Sequence, residues 1–221
     1  MREKVFLIHG LFMHGVIMQY MRNQLSALGY DVYTFSYKTT KKNLRDNAQL
    51  LVEFIQKQQS DHDVCHFVGH SLGGILIRLA YESAPEYFTG RIVTLGTPHN
   101  GSKVAQHIVQ RLPVNILGGA YEDALDGDLP PWKGEVDLGS IAGTKGLGIG
   151  LALSDLDQPN DGTVAWSETQ LTHQKDSISF PLTHTALIYS KKVVEQTDHF
   201  LRYGRFEHEK LKKNLSHDHD S

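Results

Sequence analysis

With one cysteine, Cys65, the chain can form no intramolecular disulfide, so its stability has to come from a packed core. Cys65 itself lies in an apolar, strand-like run and reads as packing. No sign of charge dominates either: 22 Lys and Arg face 25 Asp and Glu, a formal net charge of -3. That balance argues against a nucleic-acid surface and against an acidic solvating tail. Long apolar runs are also missing. No stretch approaches the ~20 apolar residues that a membrane-crossing helix needs. The run Val5-Phe6-Leu7-Ile8 behind Met1-Arg2-Glu3-Lys4 is too short for the apolar part of a secretory leader, and no small-residue cleavage site follows it. These absences together lead us to expect a soluble, cytoplasmic protein.

What is present is an alternation. Short apolar runs at Val5 to Ile8, Asp31 to Tyr37, Val64 to Val68, Arg91 to Leu95, Val136 to Ala142 and Ser177 to Leu182 are separated by helical patterns. Such alternation predicts an α/β domain: a compact, mostly parallel sheet of about six strands with helices on both faces. Between the second and third runs, Leu44, Ala48, Leu51, Val52 and Ile55 fall on one helical stripe. Ile17, Met21, Leu25 and Leu28 form another, with Gly29 as its stop. A last helix is expected from Ser190 as N-cap to Gly204, burying Val193, Val194, Thr197, Phe200 and Leu201. Residues 1–206 read as the domain and 207–221 as a polar tail. The two histidines of its "SHDHDS" end read as a frayed terminus rather than a metal site. Part of the stretch from Gly118 to Gly150, with Leu129-Pro130-Pro131-Trp132 in it, is expected to be a long excursion that leads into the Val136 strand and reaches over the site.

One segment carries chemistry. Val68-Gly69-His70-Ser71-Leu72-Gly73-Gly74 follows an apolar strand and opens the helical pattern Leu72, Ile75, Leu76, Leu79. A serine between glycines at a strand-to-helix turn has the setting of a nucleophile elbow. Gly69 and Gly73 let helix and strand approach closely, and Ser71 projects its hydroxyl above the carboxyl edge of the sheet. A serine hydroxyl is a poor nucleophile until a base takes its proton. Among thirteen histidines, His184 is the one that sits just past a strand and after the serine. His173 precedes that strand, His9 precedes the serine in the chain, and His70 beside Ser71 is expected to point elsewhere. An acid is then needed to hold the imidazole's tautomer. Asp161, in Asn160-Asp161-Gly162-Thr163-Val164, is preferred over Asp157 and Asp155, because a tight turn there presents the carboxylate.

Negative charge developing on a substrate carbonyl needs amides already aimed at it. Leu72 supplies one. The loop Ile8-His9-Gly10-Leu11-Phe12-Met13-His14-Gly15 supplies the other through Leu11 or Phe12. Phe12, Met13 and Val16 in the same loop are candidates to line an apolar acyl pocket.

The ordered set "LIHGLFMHG", "HFVGHSLGG", "TLGTPHNGS", "NDGTV" and "PLTHTAL" resembles the α/β-hydrolase superfamily over almost the whole chain. The resemblance is to its lipase and esterase branch, and to GPI-inositol-deacylase-like hydrolases through Gly96 to Ser102. It implies the α/β-hydrolase fold and maps the family's triad onto Ser71, Asp161 and His184. It gives the Gly96–Ser102 segment a shaping role, with Ser102 as the N-cap of the next helix and His99 without a catalytic part. Two departures stand out: the family's first two strands have no counterpart, and no large helical cap is inserted. Both imply an open or lightly covered pocket and weaken a role on long-chain triacylglycerol.

The expected activity is hydrolysis of a small-molecule carboxylic ester, with an apolar acyl group, through an acyl-enzyme on Ser71. No metal and no organic cofactor is called for, and lipid contact is expected to be transient at most. With a neutral imidazole as base, activity should climb as pH rises through about 6–7. The same triad would also serve an acyltransferase or an amidase. A non-catalytic ligand-binding protein is the reading from another class, and it has no need of a strained serine.

Overall fold

A computed structural model describes residues 3–39, 42–111, 129–146 and 156–208. Within them lie six strands: β1 (Glu3–Ile8), β2 (Asp31–Phe35), β3 (Val64–His70), β4 (Ile92–Leu95), β5 (Leu138–Gly143) and β6 (Asp176–Phe180). All neighbours pair in parallel, in the order β2-β1-β3-β4-β5-β6. The helices are α1 (Gln19–Ala27), α2 (Leu44–Gln58), α3 (Leu72–Ser83), α4 (Lys103–Arg111) and α5 (Lys191–Tyr203).

Side-chain alternation along the central strands divides the core into two layers. Phe6 and Ile8 of β1 join Leu51, Ile55, Ile75 and Leu76 on the α2 and α3 side. Val5 and Leu7 join Met21, Leu25, Val193 and Phe200 on the α1 and α5 side. Both faces of the sheet are therefore buried, which is why β1 reads as an unbroken apolar run. After β1 the chain moves outward to β2. It then crosses back so that β3 pairs on the other side of β1, and it continues outward to β4. Between β1 and β3 the strand order reverses, and a crevice at the carboxyl ends of such a pair is where open α/β sheets bind ligands.

The helix signals act as their chemistry requires. Asn43 caps α2 by accepting from the Asp46 amide at 2.7 Å, and the whole Leu44–Ile55 stripe is buried. Ser190 caps α5, and Gly204 ends it in the left-handed conformation at φ 69°. The stripe of the first helix needs correcting. His14 starts a tight 3-10 turn over Gly15–Met18, so α1 begins only at Gln19 and Met18 takes the buried position expected of Ile17. Leu28, placed in the same stripe, caps the helix end and is 43% exposed. β2 and β6 stop short of Tyr37 and Leu182. Tyr37 is still buried, because its ring stacks 4.6 Å from that of His9.

Leu129 to Trp132 does not reach the site but packs on α3. Trp132 lies 5.0 Å from the Tyr81 ring, and the Pro130 carbonyl accepts from Arg78 Nη2 at 2.5 Å. The remainder of the expected excursion, residues 118–128 and 147–150, and the tail beyond 208 lie outside the described residues. Among the described residues no helix is long and apolar enough to cross a membrane.

Candidate active site

Ser71 sits between the end of β3 and the start of α3 with φ 55° and ψ −126°, a backbone state that β-carbon-bearing residues seldom occupy. Its amide is tied to the Leu95 carbonyl at 2.9 Å. The flanking glycines are there for space rather than for unusual dihedrals. A β-carbon on Gly69 would lie 2.5 Å from the Gly74 nitrogen, and one on Gly73 would lie 2.4 Å from the Ile8 carbonyl oxygen. Only a side-chain-free backbone lets α3 leave β3 so steeply. Leu72, the first residue of α3, then has an amide with no partner inside the helix.

Asp161 and His184 come together from separate loops. Asn160 and Ala165 bridge across a narrow hairpin, and Asp161 at its tip is 1% exposed. One carboxylate oxygen accepts from the amides of Thr163 at 2.9 Å and Val164 at 2.7 Å. The other accepts from His184 Nδ1 at 2.7 Å, and the His184 amide binds the Asp161 carbonyl at 2.9 Å. A carboxylate only accepts, so Nδ1 carries a proton and Nε2 is the ring nitrogen turned away from Asp161. Asp157, the alternative acid, pairs instead with Lys103 at 2.8 Å on the surface. Asp155 lies outside the described residues.

Ser71, Leu72 and His184 open onto one cavity of about 240 Å³. No hydrogen bond joins the Ser71 hydroxyl to the imidazole, and catalytic contacts of this kind commonly tighten only around substrate. Leu11, Phe12 and Met13 form one wall of the cavity, while Val104 and Ala105 of α4 with Pro98 and Val164 form another. Among the described residues no Asp, Glu, Lys or Arg lines it. The Phe12 amide is occupied by Thr39 Oγ1 at 3.2 Å, which leaves Leu11 as the loop's free donor candidate. Val16 is placed elsewhere: it is 72% exposed and does not line this cavity, because the 3-10 turn at Gly15 carries it outward.

Three buried histidines, His70, His9 and His99, have structural parts around the site. His70 points to the backbone of His184. Its Nε2 donates to the His184 carbonyl at 3.1 Å, and the two rings are 4.7 Å apart. Burial, with His184 beside it, pushes His70 down to about 3, so it stays neutral. His9 donates from Nδ1 to the Gly10 carbonyl at 2.9 Å and accepts the Tyr37 amide on Nε2 at 3.2 Å, which fixes the β1 loop. Its pKa is lowered, chiefly by burial. His99 lies under the site between Thr94 and Arg78, and burial drives it well below the usual range. The usable signal was adjacency: His70 and His9 each flank a loop already singled out. Ser102 caps α4 by accepting from Ala105 at 3.2 Å. Among the described residues no group of three or more His, Cys, Asp or Glu is arranged to hold a metal ion.

A parallel sheet with a serine elbow after its third strand and a histidine loop after its last is the α/β-hydrolase fold, and this chain has it. Solved structures agree. The mature Bacillus licheniformis lipase BlEst2 superposes with a TM-score of 0.74 at 22% identity, over 92% of either chain. The metagenomic carboxyl esterase MGS0156 does so with a TM-score of 0.67 at 19% identity, over 83% of this chain and 65% of that one. Methylesterase 7 of Arabidopsis thaliana is 26% identical over 136 residues, which is 57% of this chain and about half, 52%, of that relative. No protein-family model matches the chain.

Proposed function

We propose that the protein is a carboxylic ester hydrolase that works through an acyl-enzyme on Ser71. One observation carries the reading: a serine held at φ 55° on the strand-to-helix turn shares a cavity with an imidazole whose Nδ1 is 2.7 Å from a buried carboxylate. Similarity to proteins named lipase, carboxyl esterase and methylesterase supports it.

In the first half-reaction His184 Nε2 takes the hydroxyl proton as Ser71 Oγ bonds to the carbonyl carbon. The oxyanion so formed is met by the amides of Leu11 and Leu72, and removing one such donor typically costs about 10²–10³ in rate. His184 then protonates the leaving alkoxide as the ester C–O bond breaks. Water repeats the sequence on the acyl-enzyme: its proton passes to His184 and on to Ser71, and the carboxylic acid departs. Asp161 holds the ring and stabilises the imidazolium without itself taking the proton. The apolar side chains that line the cavity suit a small neutral ester with an apolar acyl group.

Turnover of p-nitrophenyl butyrate by the wild type and by Ser71→Ala tests this. The wild type should be active and labelled by a fluorophosphonate, and the variant should have lost both. Retention of most of the turnover in Ser71→Ala refutes the assignment.

A further inference from the structure

We propose that Glu168 is a positioning residue for the acyl-binding wall, clamping α4 to the hairpin that carries Asp161; the proposal rests on the ester-hydrolase reading above. Glu168 lies in the 3-10 turn Ser167–Thr169 and is only 6% exposed. Its carboxylate spans two segments distant in sequence. Oε1 accepts from the Lys103 amide at 2.7 Å, and Oε2 accepts from the Ala165 amide at 2.8 Å. The Lys103 amide opens α4, at the positive end of the helix dipole. Ala165 closes the hairpin across from Asn160.

A carboxylate buried this deeply is expensive unless both oxygens are satisfied by donors. Burial raises the Glu168 pKa, and the two amides work against that rise. Such a group is retained at a cost, and the position of α4 is what it secures. The first turn of α4 contributes Val104 and Ala105 to the cavity, and Val104 also packs on Leu156 and Ala165. Asp161 depends on Glu168 far less. The Thr163 and Val164 amides and the His184 loop hold the acid directly. The clamp therefore governs the acyl pocket more than the proton relay.

Glu168→Gln separates these roles. A carboxamide can accept from one amide, but it turns its own N–H₂ toward the other, so one of the two bonds is lost with little change in shape. The expected result is a KM for p-nitrophenyl octanoate raised about tenfold relative to that for the acetate, with kcat on acetate within about threefold of wild type. Glu168→Asp, which keeps the charge on a shorter arm, should give an intermediate ratio. An unchanged octanoate-to-acetate KM ratio in either folded variant overturns the proposal.

If neither variant folds, hydrogen exchange on the unaltered protein decides. An octyl phosphonate on Ser71 should protect the Lys103 and Ala165 amides more than a methyl phosphonate does, and equal protection overturns the clamp. Fluorophosphonate labelling of wild type is the separate control. A protein that is not labelled sinks the hydrolase reading itself, whereas labelled protein with an unchanged ratio sinks only the role of Glu168.

Discussion

The rings of His70 and His184 lie 4.7 Å apart and tilted by 47°, with the Nε2 proton of His70 on the backbone carbonyl of His184 at 3.1 Å. A carbonyl cannot donate, so His70 is locked in a single tautomer, and its Nδ1 is left without a partner. The ring thus braces His184 through its backbone while adding no competing cation. The price of this arrangement is one buried unsatisfied nitrogen.

Removing that brace should misplace the imidazole without touching it directly. We expect His70→Ala to lose roughly 10²-fold in kcat. His70→Gln, which can still donate to the His184 carbonyl, should recover part of the loss. Steady-state kinetics of both variants on p-nitrophenyl butyrate checks this, and equal kcat in His70→Ala and wild type would remove the role.

Asp161 and Asp157 were rival acids in the sequence, and their surroundings separate them. Asp161→Asn keeps an acceptor for Thr163 and Val164 but presents an amide to His184 Nδ1, so kcat should fall roughly 10³–10⁴-fold. Asp157→Asn removes only a surface pair with Lys103, and kcat should stay within about twofold. Reversed sensitivities would reassign the acid.

The glycines of the elbow make a steric prediction. Gly73→Ala puts a methyl group 2.4 Å from the Ile8 carbonyl, where only backbone movement of α3 or β1 could relieve it. The cost should reach at least about 3 kcal/mol, the upper end for overpacking. Gly29→Ala, at φ 101° with nothing near its β-carbon, should cost about 1 kcal/mol from backbone strain alone. Urea unfolding of the two variants measures the difference.

Acid should destabilise the fold through buried neutral histidines. Burial drives His66 to about 4 and His70 to about 3, against the usual 6.5. Between the folded and unfolded values the unfolded chain binds more protons, so stability rises with pH. The full contribution is present above about 6.5 and declines as pH falls toward about 4, with each histidine adding up to about 1.4 kcal/mol per pH unit to the slope. Thermal melts from pH 7 to pH 4.5 should show it. His66→Gln, which can still accept the Arg91 amide, should flatten the decline.

Local signals were legible wherever local chemistry decides. The stripe of α2, the Ser190 and Gly204 caps of α5 and the elbow glycines are read from neighbours a few residues apart, and the structure contains all of them. Val16 misled because the 3-10 turn begun by His14 carries it outward, and Leu28 because the helix ends on it; apolar type alone does not say which side faces water.

Residue type and spacing along the chain account for the alternation of strand and helix, the turn on which Ser71 is strained, and the short list of candidate histidines and acids. Which of these meet follows from the packing of the whole domain. Asp161 comes within 2.7 Å of His184, His70 binds the backbone carbonyl of the same residue, and Glu168 joins the start of α4 to the Asp161 hairpin, each because distant segments are packed at one edge of the sheet. Periodicity and capping act over a turn of chain. Hydrogen bonds between loops are set by how the whole core closes, and no window of sequence contains that.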